Sequence, residues 1–231
     1  MKTKLLILFL ASAAFCASAF AAAITPTNLD SIDPALQSRI TIGQTNAAGA
    51  SGVQVRYNTN DARSAGQSFV WNSDRPLDSL GILLHTTQSV KTSQDYELRI
   101  FSLTGSTVNA QPIGQYEFVL TPSLSTAGSY LYFELPSALP LTQGGSYLFQ
   151  LAATSQTSQN LLYLSRSSDT NPYPSGSGRQ LEFYTAPTTF TNGSNWDYTF
   201  FLTAAPIPEP AGPGLLGAAA GVLWLLRRRR R

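Results

Sequence analysis

YELRIFSL, residues 96–103, decides the class of fold. Tyr96, Leu98 and Ile100 alternate with Glu97 and Arg99. A period of two places the apolar trio on one side of an extended chain and the charged pair on the other. The next such stretch, GQYEFVL (114–120), repeats the scheme with Tyr116, Phe118 and Leu120. Between them TGSTVNAQPIG (104–114) carries the turn signals that separate one strand from the next.

Working outward, the same signal recurs at VQVRY (53–57), GQSFVW (66–71), LDSLGILLH (77–85), SYLYFEL (129–135) and SYLFQLA (146–152). It continues at LLYLSR (161–166), QLEFY (180–184) and WDYTFFL (196–202). Tyr147, Phe149 and Leu151 share a face, as do Trp196, Tyr198, Phe200 and Leu202. Spacings of roughly 10 to 20 residues, broken by Gly, Pro, Asn and Ser, predict an all-β, antiparallel two-sheet sandwich of jelly-roll type over residues 53–205. GSYLYFEL (128–135) and GSYLFQL (145–151) look alike, but the likeness does not continue at a fixed period, so two strands following one local rule is the reading. No stretch of the body sustains a helical period; DPALQSRI (33–40) is the one short helix candidate. Residues 24–52, rich in Ala, Gly, Ser, Thr and Asn, read as a flexible lead-in with a strand at RITI (39–42). RSSDTNPYPSGSG (166–178) reads as a long loop.

The two ends have a different character. MKTKLLILFLASAAFCASAFAAA (1–23) opens with Lys2 and Lys4, runs apolar from Leu5 to Phe15 and closes on small residues. That is the layout of a secretory signal peptide, with Ala-x-Ala cleavage frames at Ala17/Ala19, Ala19/Ala21 and Ala21/Ala23. Cys16, the one cysteine, lies inside it, so the body has no thiol for a disulfide or a metal and must be held by its core. Of 15 Lys and Arg, seven are Lys2, Lys4 and the five arginines 227–231, leaving 8 in the body against 12 acids, a net charge of −4. The basic pI belongs to the ends and gives no argument for nucleic acid.

The body offers little chemistry. It has one histidine, His85, and lacks a Gly-x-Ser-x-Gly elbow, a His-Glu-x-x-His motif, a phosphate loop and a dinucleotide fingerprint. The nearest acid pairs, Asp30/Asp33, Asp74/Asp78 and Asp95/Glu97, sit where turns and strand starts place aspartate anyway. NTNDARSAGQ (58–67) carries oxygens but not the spacing of a calcium loop, so a turn is expected and no metal or other cofactor. For sugar binding the aromatic candidates are Trp71, Trp196 and Tyr173. The tryptophans fall in the apolar phase of strands and are expected in the core. Tyr173, between Pro172 and Pro174, is the one expected exposed and the candidate ligand-binding residue.

PIPEPAGPGLLGAAAGVLWLLRRRRR (206–231) closes the chain. Ala211 to Leu226 carry no charge, about 24 Å as a helix, short of a bilayer core of roughly 30 Å. Carrying each arginine through the bilayer centre costs about 2.5–3.5 kcal/mol. Arg227, Arg228, Arg229, Arg230 and Arg231 therefore act as a stop-transfer block, with Trp224 suited to the interface. Pro208-Glu209-Pro210 is held extended on the outer side, as a protease prefers its substrate. The tail resembles the PEP-CTERM sorting signal of Gram-negative bacteria. Pro208, Glu209 and Pro210 match the tripeptide, LLGAAAGVLWLL (215–226) the transmembrane helix and the arginines 227–231 the basic block. The resemblance implies export, a transient membrane tether, cleavage by an exosortase near the tripeptide and a place at the cell surface beside exopolysaccharide. Gly212-Pro213-Gly214 shortens the helical part. The body resembles the choice-of-anchor R domain through AGQSF (65–69), LDSLGILL (77–84), YELRIFSLTG (96–105), LPLTQGGSYLFQL (139–151) and WDYTFFL (196–202), a likeness that brings no catalytic residues. The expectation is a non-enzymatic exported matrix or biofilm protein whose processing partners are signal peptidase and exosortase. A carbohydrate-binding module for extracellular polysaccharide is the alternative, and a secreted glycan-active enzyme the third.

Overall fold

In the computed structural model, the described residues are 21–45, 51–57, 62–87, 90–156, 162–167, 173–176, 178–181 and 197–207. The strands in chain order are β1 (Ala22–Ala23), β2 (Thr27–Leu29), β3 (Ile40–Gln44), β4 (Ser51–Tyr57), β5 (Ala62–Val70), β6 (Leu77–Leu83) and β7 (Gln94–Thr104). They continue with β8 (Thr107–Val108), β9 (Gly114–Leu120), β10 (Tyr130–Leu139), β11 (Ser146–Ala153), β12 (Leu162–Arg166), β13 (Gly178–Leu181) and β14 (Phe200–Ala204). One short helix, α1 (Pro34–Arg39), precedes β3.

Two sheets form. The larger has nine strands, ordered β1-β9-β7-β11-β5-β4-β12, with β8 on β7 and β13 on β5; the smaller has five, ordered β2-β10-β6-β14-β3. All described pairs are antiparallel except β1 with β9. The alternation first read in YELRIFSL does what a period of two demands. Tyr96, Leu98 and Ile100 lie against Phe118, Tyr116 and Gly114 on β9 and against Ala153, Leu151 and Phe149 on β11. The apolar members of these rows join Phe133, Phe200 and Leu202 of the smaller sheet in one core. Within it Phe118 stacks on Tyr96 and meets Phe133 edge-on at 4.9 Å. Trp71 is fully buried, its indole Nε1 donating to the Arg75 carbonyl at 3.0 Å, as expected of a core residue; Trp196 lies outside the described residues.

The outer face of the smaller sheet is covered from within the chain. Asp33 caps α1, its carboxylate accepting from Leu36 N at 2.8 Å, and Pro34 fits the first helical turn. Leu36 and Ile40 then pack with Tyr130, Tyr132 and Phe201. Phe201 lies across its cross-strand partner Gly81, where a Cβ would sit 2.2 Å from the Phe201 ring. Only glycine admits the ring so close. Arg39, in the last turn of α1, pairs with Asp78 at the start of β6.

This region differs from the flexible lead-in expected over 24–52. It supplies β2, α1, β3 and the start of β4, and Ile24, Leu36 and Ile42 are buried. The chain crosses at residues 24–26 from the larger sheet to the smaller, joining one pair of edges. On the other side β12 joins the sheets: Thr199 N donates to the Ser165 carbonyl at 3.0 Å and His85 N to the Tyr163 carbonyl at 2.9 Å. Among the described residues no helix is long and apolar enough to cross a membrane. The expected signal segment over residues 1–20 lies outside them, as do the tripeptide Pro208, Glu209 and Pro210 and the 215–226 span. The expected stop-transfer residues Arg227, Arg228, Arg229, Arg230 and Arg231 lie outside them too.

Candidate functional site

Among the described residues, two gatherings of polar side chains are candidates for a site. The first is built around Asp197, just ahead of β14. WDYTFFL predicts Asp197 on the wetter face, yet it is completely buried. Its carboxylate accepts from Gln67 Nε2 at 2.7 Å and from Tyr173 N at 3.0 Å, and from the backbone of Gly178. Gln67, also buried, completes its own hydrogen bonds by accepting from Tyr198 N at 3.0 Å through Oε1. Burial pushes the Asp197 carboxyl up from its ordinary value, against the three donors that pull it down.

Tyr173 is half-buried in this cluster, in contrast to the exposed loop position expected for a ligand-binding residue. Its ring meets Phe200 edge-on at 5.7 Å, and its hydroxyl lies 3.2 Å from Val70 N and accepts from it. The turn that follows leans on β5: a Cβ on Gly176 would fall 1.9 Å from the Ser68 carbonyl. One buried carboxylate therefore holds β5, the 173–176 turn, β13 and the entry to β14 together. Three protein donors converge on it, which suits a clasp.

The second place is a groove of about 610 Å³ at the β1 edge of the larger sheet. Register sets its floor. Ala23 lies beside Glu117, Glu117 opposite Glu97, and Val119 opposite Asp95, so these side chains share the face turned from the core. Thr25, Thr121 and Thr154 add hydroxyls around them. Glu97 is largely buried and held by Arg99, whose Nε donates at 2.6 Å, and by Gln115 Nε2 at 3.2 Å. Asp95 and Glu117 are exposed, and Val119 presents 48% of its surface.

Glu97 and Glu117 stand side by side on one pleat and point the same way. A glycosidase needs its two carboxyl groups on opposite sides of the bond to be cut. The groove thus offers an acidic, hydroxyl-bearing contact face. His85 lies elsewhere, beside Tyr163, and its Nδ1 accepts from Thr87 N at 3.1 Å. Of the acid pairs named from sequence, Asp33 caps a helix, Asp78 pairs with Arg39 and Asp95 lines the groove. Among the described residues no three acidic, histidine or cysteine side chains gather as a metal site would require. Sequence reasoning passes over Glu117; its phase opposite Glu97 on neighbouring strands is the signal that places it here.

The class these observations define is a β-sandwich with two antiparallel-dominated sheets, an internal carboxylate clasp and an acidic groove at one edge. No protein-family model and no curated protein matches the chain. Among solved structures it is similar to a clostridial cysteine protease, Cwp84 after propeptide cleavage, and to the cysteine protease and lectin-like domains of Cwp84, a surface layer associated protein of Clostridium difficile. Both likenesses have a TM-score of 0.46 at 14% identity and cover 73% of this chain, but only 41% and 37% of the respective structures. The chain thus spans less than half the length of either.

Proposed function

We propose that the chain is an exported, surface-sorted, non-enzymatic component of an extracellular matrix in a Gram-negative bacterium, associated with exopolysaccharide or biofilm. In this reading its jelly-roll-like sandwich is delivered by signal peptidase, tethered through the 215–226 helix and released or attached after exosortase cleavage near Pro208-Glu209-Pro210. The carrying observation is the order in the tail: a rigid acidic tripeptide, a short uncharged span and five terminal arginines. Each part has a physical task, and the task depends on the order: presentation to a protease, residence in the bilayer and arrest of translocation. Glu209→Ala, and separately deletion of Arg227, Arg228, Arg229, Arg230 and Arg231 together, should each leave an unprocessed or misrouted precursor, read by intact mass in the native host. If both variants mature as the parent does, the tail is an anchor and not a sorting signal.

A second reading, binding of extracellular polysaccharide, is favoured by the groove, where Asp95, Glu117 and Thr154 can meet sugar hydroxyls. It would be seen as saturable glycan-array binding lost in Asp95→Ala/Glu117→Ala. Loss in Tyr173→Ala alone would place the ligand at the clasp instead.

A further inference from the structure

We infer that signal peptidase cuts after Ala19 or Ala21, and not after Ala23, so that Ala22 and Ala23 remain in the mature protein as the edge strand of the larger sheet. The inference rests on the export reading above and fixes its N-terminal processing site. The three Ala-x-Ala frames satisfy the peptidase equally in sequence. The fold distinguishes them.

Ala22 and Ala23 pair in parallel with Tyr116 and Glu117, and Ile24 N donates to the Glu117 carbonyl at 2.9 Å. Ile24 itself is 8% exposed within the main core, and Pro26 beyond it is also buried. Cleavage after Ala23 would remove the whole of β1 and leave the outer backbone groups of β9 as an uncapped edge. It would also turn the Ile24 amide into an α-ammonium, charged at neutral pH, at the residue where the chain enters the core. Cleavage after Ala21 puts that charge on Ala22, whose side chain is exposed, and cleavage after Ala19 puts it on Phe20, four residues before Ile24 in the chain.

The groove points the same way. Ala23, Ile24, Thr25 and Pro26 form one side of it, so the retained strand completes that side and a shorter N-terminus would open it. Small residues serve both steps: the peptidase requires them beside the cut, and a two-residue edge strand with exposed side chains requires nothing larger.

N-terminal sequencing of the exported full-length protein tests this. The expected first residue is Phe20 or Ala22. A start at Ile24 or later overturns the inference while leaving export and signal-peptide removal intact; a chain still beginning at Met1 overturns the signal-peptide removal on which the inference rests. Hydrogen exchange on the same exported protein gives an independent check. The Ile24 amide should exchange about ten-fold or more slowly than in an unfolded chain. Exchange at the unfolded rate would show that β1 does not pair in the mature protein and would overturn the inference.

Discussion

The Asp197 clasp and the Ile24 crossing fasten irregular segments to the sandwich by opposite means. At the clasp a buried carboxylate gathers donors from Gln67, Tyr173 and Gly178. At the crossing a branched apolar side chain enters the core and one backbone hydrogen bond fixes the direction of the chain. A polar hub holds several segments in one geometry, but it carries a desolvation cost that its hydrogen bonds must offset. An apolar anchor has no such cost, and it specifies less. The two should therefore fail differently when their central side chains are removed.

The largest loss is expected at the clasp. Asp197→Ala leaves the Gln67 amide and two backbone donors without their acceptor inside the fold, a destabilisation of about 3–4 kcal/mol. Denaturant unfolding would measure it, and proteolytic cleavage in the 173–176 turn should accelerate in the same variant. Ile24→Ala should come next, at about 2–3 kcal/mol, because it removes buried methyl groups near the edge of the core, where the structure can partly close the gap. Finding Ile24→Ala costlier than Asp197→Ala would reverse the comparison and make the clasp incidental.

How much of this is legible in the sequence follows from which forces act locally. The strands with a strong period of two, among them Tyr96 to Ile100 and Tyr116 to Leu120, can be read directly, because burial on one face writes itself into alternation. The helix at Pro34–Arg39 is visible in its Asp-Pro start. β1 is not, since two alanines carry no period and pair only because β9 offers an edge. Asp197 is legible as a member of an alternating strand and illegible as a buried one. Alternation assigns a residue to a face and is silent on whether a distant turn covers that face. The groove is the product of register between β1, β9 and β7, and register is a property of pairs, so no single stretch announces it.

The same comparison has a pH signature. Burial raises the Asp197 carboxyl in the folded state, so the native protein holds that proton more tightly than the unfolded chain. Its contribution to stability is greatest below the ordinary carboxylate range, near pH 4, and declines as pH rises toward the folded-state value, then levels off. The Ile24 crossing contains no titrating group and should not share this slope. Stability measured against pH for the parent, Asp197→Asn and Ile24→Ala should show the declining limb in the parent and Ile24→Ala, and its loss in Asp197→Asn. A slope retained in the Asn variant would assign the titration to another carboxylate.

The smallest effect tests whether Tyr173 belongs to the clasp or waits for a ligand. Its ring rests on Phe200, while its hydroxyl accepts from Val70 N at the end of β5. Tyr173→Phe keeps the ring and removes the acceptor, so a stability loss of about 0.5–1.5 kcal/mol is expected from the hydrogen bond alone. A residue reserved for a ligand would give the opposite pattern, with stability unchanged and glycan binding reduced. Since Asp197 and Tyr173 are joined through the Tyr173 amide, the pair should also be non-additive. Once Asp197→Ala has released the turn, removing the hydroxyl should cost less than it does in the parent. Full additivity would mean that the Val70 contact holds without the carboxylate, and that the clasp is two separate fastenings.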